Sequence, residues 1–112
     1  MSEDLYPPII RDLPLADVPF KGIHGYLLQG ASRQAVFFEI EDTAEIPEHS
    51  HGAQWGVVLE GELDLTIAGG TRTYRQGDSY YIPANALHSV IFKSGVRVLD
   101  LFAEANRYRA TG

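Results

Sequence analysis

Short apolar runs separated by glycine-containing turns extend through most of the chain and predict β-strands. Residues 63–67, with the sequence LDLTI, alternate apolar and polar side chains, the period-two pattern of a strand with one buried face. Gly69 and Gly70 follow, and glycine permits the positive φ angles of a tight hairpin. The predicted strands are 26–29, 34–41, 54–60, 63–67, 71–75, 79–82, 89–92 and 96–102. Short strands with turn residues between them indicate an all-β sandwich or barrel.

The N-terminal segment, residues 1–20, has a different composition from the rest of the chain. It holds most of the chain's 6 prolines, and proline is disfavoured in central strands and in helix interiors. We predict an extended arm whose apolar side chains lie on the barrel or on a neighbouring subunit, followed by one domain over residues 21–112. Within that domain only 104–109 has a pattern compatible with a helical turn.

The composition limits the classes of protein that the chain can represent. Its 112 residues, of which 45% are hydrophobic, suffice for one folded domain and are too apolar for a disordered chain. The absence of cysteine excludes disulfides and thiolate metal sites. No apolar run approaches the roughly 18 residues of a membrane-spanning helix, and the acidic residues 1–4 do not resemble a secretory signal. We therefore expect a cytoplasmic protein.

The charge pattern argues against a nucleic-acid partner. The net charge is −6, so the average surface would repel a phosphate backbone. The basic residues are scattered, and the loose group Arg97, Arg107 and Arg109 is expected to be solvated surface. Glu60 and Glu62, on either side of a glycine, are expected to face solvent as well.

Three histidines and a glutamine near the ends of predicted strands carry the candidate chemistry. His49 and His51 are two residues apart, so both imidazoles project from the same face of an extended chain. Gln54 would point to the opposite face unless the chain bends, and Gly52 permits such a bend. His88 follows a strand and a turn further along. These four side chains can therefore converge on one cation.

Imidazole nitrogens and an amide oxygen suit zinc, iron(II), nickel, copper or manganese. Because all of these ligands are neutral, the metal would keep its positive charge and favour an anionic or chelating oxygen ligand at its open positions. A single histidine is more often a surface or core residue than a metal ligand, and the His49–His51 pair can also form an exposed tip. Only the joint pattern predicts a site for one divalent metal.

The first of two motifs resembles the cupin family of small β-barrels. Its usual form is a histidine pair separated by one residue, then a glutamate, then a glycine seven positions after the glutamate. His49, His51, Gln54 and Gly61 fit this order, with glutamine in the place of the glutamate. The glycine that usually opens the motif is replaced by Thr43, and the gap before Gln54 is shorter than usual.

The second motif strengthens the resemblance. Gly77, Pro83 and His88 fit its glycine, proline and histidine, while Asn85 stands where the family has a second glycine. The likeness covers roughly residues 34–102. It implies an antiparallel jelly-roll-type β-barrel. It also implies that the three histidines and the glutamine of the two motifs are the ligands of one divalent metal.

Asp100 is the candidate catalytic residue. Alternation along 96–102 places Val98, Asp100 and Phe102 on one face. If that face lines the barrel, burial would raise the pKa of the Asp100 carboxyl and suit it to proton transfer. The alternative is a carboxylate at the barrel rim that caps a loop amide. Asp100 and Phe102 also resemble the pectin-degradation cupins that linearise unsaturated uronates, although Arg107 lies one residue beyond the position of that group's arginine.

We therefore expect a metal-binding cupin that isomerises a small hydroxy or keto compound, such as a sugar acid. Phe37, Tyr80 and Phe102 are the candidate lining of the substrate pocket, with the hydrophobic core as the alternative role for these aromatic residues. The alternative functions are an iron-dependent dioxygenase and a protein that binds a small ligand without catalysis. The apolar arm and the small size of the chain predict a homodimer.

Overall fold

The computed structural model describes residues 5–111, which form two antiparallel β-sheets. A single turn of helix, α1 (Pro8–Arg11), precedes the strands within the described residues. The strands are β1 (Ile23–Gln29), β2 (Gln34–Ile40), β3 (Ala44–His49), β4 (Gln54–Glu60), β5 (Glu62–Ile67), β6 (Gly70–Arg75), β7 (Ser79–Ile82), β8 (His88–Phe92) and β9 (Val96–Phe102). The predicted all-β jelly-roll-type fold is confirmed. The described part of the chain contains no helix of the length and apolarity required to cross a membrane.

The two sheets enclose the core between their inner faces. The larger sheet has the order β1-β2-β9-β4-β7, and the smaller has the order β3-β8-β5-β6. Alternating side chains of both sheets form one apolar cluster, as expected when only one face of each strand is buried. Val36 and Val98 from the larger sheet and Leu63 and Leu65 from the smaller sheet are almost fully buried in it. The same faces enclose the candidate site.

Strand β3 is the one strand of the described residues that the sequence pattern did not predict. Pro47 lies within it, and proline is normally excluded from central strands. The strand is at the edge of the smaller sheet, where a missing N–H does not interrupt a ladder on both sides. Its pairing with β8 shifts register between Ile46 and His49, which accommodates the proline.

The N-terminal arm departs from the expected extended conformation. It contains helix α1. Pro8 is tolerated there because it occupies the first helical position, where an N–H would have no acceptor within the helix. Tyr6 is buried on the outer face of the larger sheet, and its hydroxyl donates to the carbonyl of Phe38 at 2.8 Å. Further along, Ala16 bridges to Ala110. The tail over 104–109 has no helical turn, because it runs irregularly into that bridge.

Arg97 does not belong to a solvated surface group, contrary to expectation. Its side chain is 2% exposed, and its guanidinium donates to Glu39 at 2.7 and 3.0 Å and to Glu60 at 2.9 Å. The Tyr6 ring lies 5.6 Å from the guanidinium carbon. Glu60 is correspondingly half-buried. The arm covers this part of the sheet. Arg97 points outward from the sheet but is therefore buried, and its guanidinium forms hydrogen-bonded ion pairs with the two glutamates.

Positive φ angles at the turns agree with the sequence motifs. The predicted hairpin has Ala68 and Gly69 as its two loop residues, at φ 49° and 86°. Asn85, in the glycine position of the second motif, has φ 66°. Asparagine is one of the few residues besides glycine that adopt this conformation readily, so the substitution keeps the loop that leads to His88.

Candidate metal centre

Three imidazoles meet at one end of the space between the sheets. His49 ends β3 and is paired in register with His88, which begins β8. His51 lies in the connection that leads into β4. The ring centroids of His49 and His88 are 4.2 Å apart, and His51 lies 5.2 Å from His49 and 4.8 Å from His88. One ring nitrogen from each residue lies within 4.8 Å of the others.

Backbone carbonyl groups fix how each ring presents its nitrogens. Nδ1 of His49 is 2.8 Å from the Pro47 carbonyl oxygen, and Nδ1 of His88 is 2.9 Å from that of Ala86. Nδ1 of His51 is 2.8 Å from the carbonyl oxygen of the next residue. A carbonyl oxygen only accepts, so each Nδ1 carries the hydrogen and each Nε2 keeps its lone pair free. A metal-binding imidazole is normally held in this way.

The electrostatic environment keeps two of these imidazoles neutral. Burial lowers the pKa of His51 to about 4, and the charge of Arg107 acts in the same direction. Burial also lowers the pKa of His88. At neutral pH both rings therefore have an uncharged nitrogen available, as metal binding requires. The three donors fit a divalent transition metal, because neutral imidazole is a preferred ligand of such ions and the nitrogens are already grouped.

A polar cluster on the larger sheet adjoins the histidines. Asp100 is 3% exposed, and the Tyr80 hydroxyl donates to its Oδ1 at 2.6 Å. Burial raises the pKa of Asp100 to about 6, while hydrogen bonds from Tyr80 and Gln54 oppose that rise. Since Gln54 can donate only through its amide nitrogen, its carbonyl oxygen remains free for another partner.

Gly56 makes room for this cluster. It pairs with Tyr80 on β7 and with Asp100 on β9. A Cβ atom at position 56 would lie 2.1 Å from the Asp100 carboxylate and 2.4 Å from the Tyr80 ring. Both side chains would have to move, and their burial and the hydrogen bond between them resist that movement. The absent side chain is therefore a requirement of the site, one that the sequence pattern did not indicate.

The histidines and the polar cluster line one cavity of about 570 Å³, counting the space at its open mouth. Gln54, Tyr80, Asp100 and Phe102 all contribute to its wall, and Tyr80 and Phe102 are two of the three residues proposed for the pocket lining. Phe37 does not. It lies on the outer face of β2 against Tyr6, with ring centroids 5.9 Å apart.

The prediction that Phe37 lines the pocket assigned the wrong face of β2 to the space between the sheets. The neighbouring Phe38 lines the cavity in its place. Two adjacent phenylalanines cannot both face the same way in a strand, and the sequence does not distinguish them. The deeper wall of the cavity is apolar and includes Phe20, Ile46, Leu63, Leu65, Val90 and Phe92.

Two residues of the C-terminal tail reach the site and were not among the predicted site residues. Arg107 lines the cavity, and its Nε is buried without a hydrogen-bond partner. Its guanidinium carbon lies 4.5 Å from the Tyr108 ring centroid. Glu104 accepts a hydrogen bond from the Gly52 amide at 2.9 Å and lies 3.8 Å from His51. One sequence feature indicated this tail. Arg107 lies one residue beyond the position of the arginine in the uronate-linearising cupins.

Gly52 has the predicted position at the bend between His51 and Gln54, and the structure adds a second reason for it. A Cβ atom there would lie 2.8 Å from Cγ of Glu104. The glycine thus lets the C-terminal tail approach the histidine pair closely.

Comparison with solved structures shows the same fold in several proteins. An RmlC-like cupin from Shewanella frigidimarina NCIMB 400 has 23% identity and a TM-score of 0.75, covering 86% of this chain and 88% of that one. KdgF from Halomonas sp. has 23% identity and a TM-score of 0.72, over 82% of this chain and 88% of that one. At these identities the likeness concerns the fold.

Bacillus subtilis oxalate decarboxylase, described with Mn(II) centres, has 21% identity and a TM-score of 0.68. The match covers 77% of this chain and 26% of that much longer one. No curated protein sequence is significantly similar to the chain.

The sequence profile of the family Cupin_2, described as a cupin domain, matches residues 36–102. The matched segment begins in β2, ends with β9 and contains all three histidines of the cluster. It extends over more than half of the chain, so the protein belongs to the Cupin_2 family of cupin domains.

Proposed function

We propose that the protein is a metal-dependent isomerase that moves a proton within a small hydroxy or keto acid. The observation that carries the proposal is a buried carboxylate, Asp100, in the wall of the cavity that holds three grouped imidazoles. His49, His51 and His88 would hold one divalent metal through Nε2, and the free carbonyl oxygen of Gln54 would be the fourth ligand. When bound, the metal would act as a Lewis acid that polarises a substrate carbonyl.

Asp100 is the group that would carry the proton. Its carboxylate is held by hydrogen bonds from Tyr80 and Gln54, so it cannot rotate freely away from the cavity. A carboxyl with a pKa of about 6 is mostly ionised at neutral pH and still basic enough to take a proton from a carbon next to a carbonyl group. It would return the proton to another atom of the same molecule. The net change is an isomerisation, which requires no oxidant.

Arg107 favours an acidic substrate. Its Nε is a buried donor without a partner, and such a group is costly unless a ligand satisfies it. A guanidinium binds a carboxylate with matching geometry. The neutral imidazoles leave the positive charge of a bound metal uncompensated, which also favours an anion. Asp100 and Phe102 resemble the uronate-linearising cupins, so unsaturated uronates are the first sugar acids to test.

Metal content tests the ligand assignment. The protein purified without a histidine tag is expected to contain about one equivalent of one transition metal by elemental analysis. His88→Ala should lose it. His24→Ala is the matched control, because His24 lies on β1 with its side chain exposed and outside the cluster. Equal metal content in all three proteins would overturn the assignment.

Turnover tests the reaction. The metal-loaded protein is incubated with unsaturated uronates in D₂O, and the products are followed by NMR. Isomerisation through Asp100 should introduce solvent deuterium at carbon, and Asp100→Asn should abolish turnover while ligand binding remains. Asp64→Asn is the control, because Asp64 lies on β5 and pairs with Thr73 and Lys93. Oxygen consumption by the iron-loaded protein would favour the dioxygenase instead, and binding without turnover would favour a non-catalytic ligand-binding protein.

A further inference from the structure

The groups that line the cavity change in a fixed order along the strands, starting from the histidine end. On β9 the inward-facing residues include Phe102, Asp100 and Val98, because alternate residues of a strand share a face. Phe102 is at the histidine end, with its ring centroid 5.7 Å from that of His51. Asp100 is one pleat further along, and the next pleat brings Val98 and its register partner Phe38. On this sheet the carboxylate therefore stands between the histidine end and an apolar level.

The smaller sheet has a similar order on its inner face. β8 begins at the histidine end with His88, and its next inward residues are Val90 and Phe92. Their register partners on β5 are Leu65 and Leu63. We refer to the apolar cavity-lining residues of the two sheets beyond the histidines and Asp100 as the floor, which comprises Phe38, Ile46, Leu63, Leu65, Val90 and Phe92.

The floor offers no hydrogen-bonding side chain to a ligand. The backbone groups of β2, β5 and β8 are paired in the sheet ladders. Of the described residues that line the cavity, only Tyr108 has a polar side chain apart from the histidines, the polar cluster and Arg107. A ligand hydroxyl against the floor would lose its hydrogen bonds to water and gain none, which opposes binding. An apolar group in the same place would be favoured.

The anion-binding group lies at the opposite extreme of this order. The Arg107 guanidinium carbon is 5.9 Å from the ring centroid of Phe102, at the histidine end of the cavity. Its Nε is the buried donor without a partner. The cavity thus presents a guanidinium, then imidazoles, then a carboxylate and finally the floor. A small molecule that matches this order has a carboxylate, a carbonyl group, a carbon with an acidic hydrogen and an apolar substituent, in that sequence.

We propose that the cavity selects 2-keto acids that carry an apolar group on carbon 3, rather than hydroxylated sugar acids, as its substrates. This assignment rests on the proposed isomerase function. The substrate carboxylate pairs with Arg107, the carbonyl group lies at the imidazoles, and carbon 3 faces Asp100. The apolar group then lies on the floor, where its burial stabilises the complex.

The reaction on such a substrate is the interconversion of its keto and enol forms. Asp100 takes a proton from carbon 3, and the electron pair of the broken C–H bond forms the double bond between carbons 2 and 3. The electron pair displaced from the C=O double bond goes to the oxygen, which receives the proton from Asp100. Substrate and product have the same atoms and electrons, so the reaction requires no co-reactant.

Isothermal titration calorimetry of the protein supplied with Zn²⁺ tests the substrate class with three probes. Phenylpyruvate carries an apolar ring, pyruvate lacks it, and galacturonate has hydroxylated carbons instead. Phenylpyruvate should bind about 10- to 100-fold more tightly than pyruvate, the ratio expected for burial of a group of phenylalanine size. Galacturonate should bind no more tightly than pyruvate. No binding of phenylpyruvate, equal affinity for phenylpyruvate and pyruvate, or tightest binding of galacturonate would overturn the proposal.

Val90→Phe tests whether the ring lies on the floor. The larger side chain fills the space of the ring, so the affinity for phenylpyruvate should fall to about that for pyruvate, which should itself change by less than about threefold. Ile91→Phe is the matched control, because Ile91 is the next residue of β8 and is 46% exposed on the outer face. It should bind both acids like wild type.

Circular dichroism verifies that each variant is folded. If Val90→Phe does not fold, Ile46→Phe replaces it, since Ile46 lies on the edge strand β3 and is only partly buried. An unchanged preference for phenylpyruvate over pyruvate in a folded floor variant would show that the ring lies elsewhere and would overturn the proposal.

Deuterium exchange separates this proposal from the proposed function. Phenylpyruvate in D₂O should gain deuterium at carbon 3 faster with the protein than without it, and Asp100→Asn should bind the acid without accelerating the exchange. If wild type binds phenylpyruvate selectively but does not accelerate exchange, the ligand class stands and the isomerase function is wrong. If pyruvate and phenylpyruvate exchange with equal efficiency, the isomerase function stands and the apolar substrate class is wrong.

Discussion

Replacing Asp100 by asparagine should change the stability of the protein in a way that depends on pH. The carboxyl is almost fully buried, and its ordinary pKa of 3.8 is raised to about 6, chiefly by that burial. Asparagine keeps the size of the side chain and can still accept the Tyr80 hydrogen bond, but it does not titrate. The difference in unfolding free energy between wild type and Asp100→Asn therefore isolates the ionisation of this group.

The sign and size of the effect follow from the two pKa values. Below pH 3.8 the carboxyl is protonated in both the folded and the unfolded chain, and the folded state is not penalised by its charge. As the pH rises through about 6, the folded protein must ionise a group that burial disfavours. Wild type then loses about 3 kcal/mol relative to the variant, since each pKa unit corresponds to 1.36 kcal/mol. The unfolding free energy of Asp100→Asn relative to that of wild type should therefore increase by about 3 kcal/mol between pH 4 and pH 7.5.

The measurement is urea unfolding of both proteins at several pH values in the presence of a chelator. The chelator is required because a bound cation would favour the ionised carboxyl and mask the effect. Other titrating groups are common to both proteins and cancel in the difference. A stability difference that does not vary with pH would show that the Asp100 pKa is not raised. The reasoning on burial, and with it the role of Asp100 as a base at neutral pH, would then be wrong.

Three further substitutions test the packing around the site and the ion pair of the larger sheet. Gly56→Ala forces a Cβ into the space of Asp100 and Tyr80 and should cost about 1–3 kcal/mol or more in urea unfolding. Gly70→Ala, whose nearest neighbour would be 3.7 Å away, is its control and should stay within about 0.5 kcal/mol of wild type. Tyr80→Phe removes a hydrogen bond that lowers the Asp100 pKa, so the pH at which wild type and Asp100→Asn diverge should be higher in that background; an unchanged midpoint would contradict the assigned bond. Arg97→Met leaves buried carboxylates without a partner and should cost about 3–5 kcal/mol, whereas a loss below 1 kcal/mol would mean that the pair is solvated.

Local patterns in the sequence were sufficient for eight of the nine strands and for the histidine cluster. β4, β7 and β9 have the predicted bounds, because their apolar runs end at glycine, proline or charged turn residues. The His-x-His spacing and the second motif identified the three imidazoles that meet in the structure. Such features depend on side-chain alternation and turn conformation, which a residue and its near neighbours largely decide.

The sequence by itself determined that this chain forms a β-roll with histidines grouped at one end. Only the tertiary structure decided which face of each strand is covered and by what. Phe37 and Phe38 are neighbours in one strand, yet the packing of the second sheet selected Phe38 for the cavity. Arg97 is interior because Tyr6, far away in sequence, lies over it, and Arg107 reaches the cavity because the tail folds back. Burial and electrostatic environment are sums over residues distant in the chain, so no local pattern encodes them.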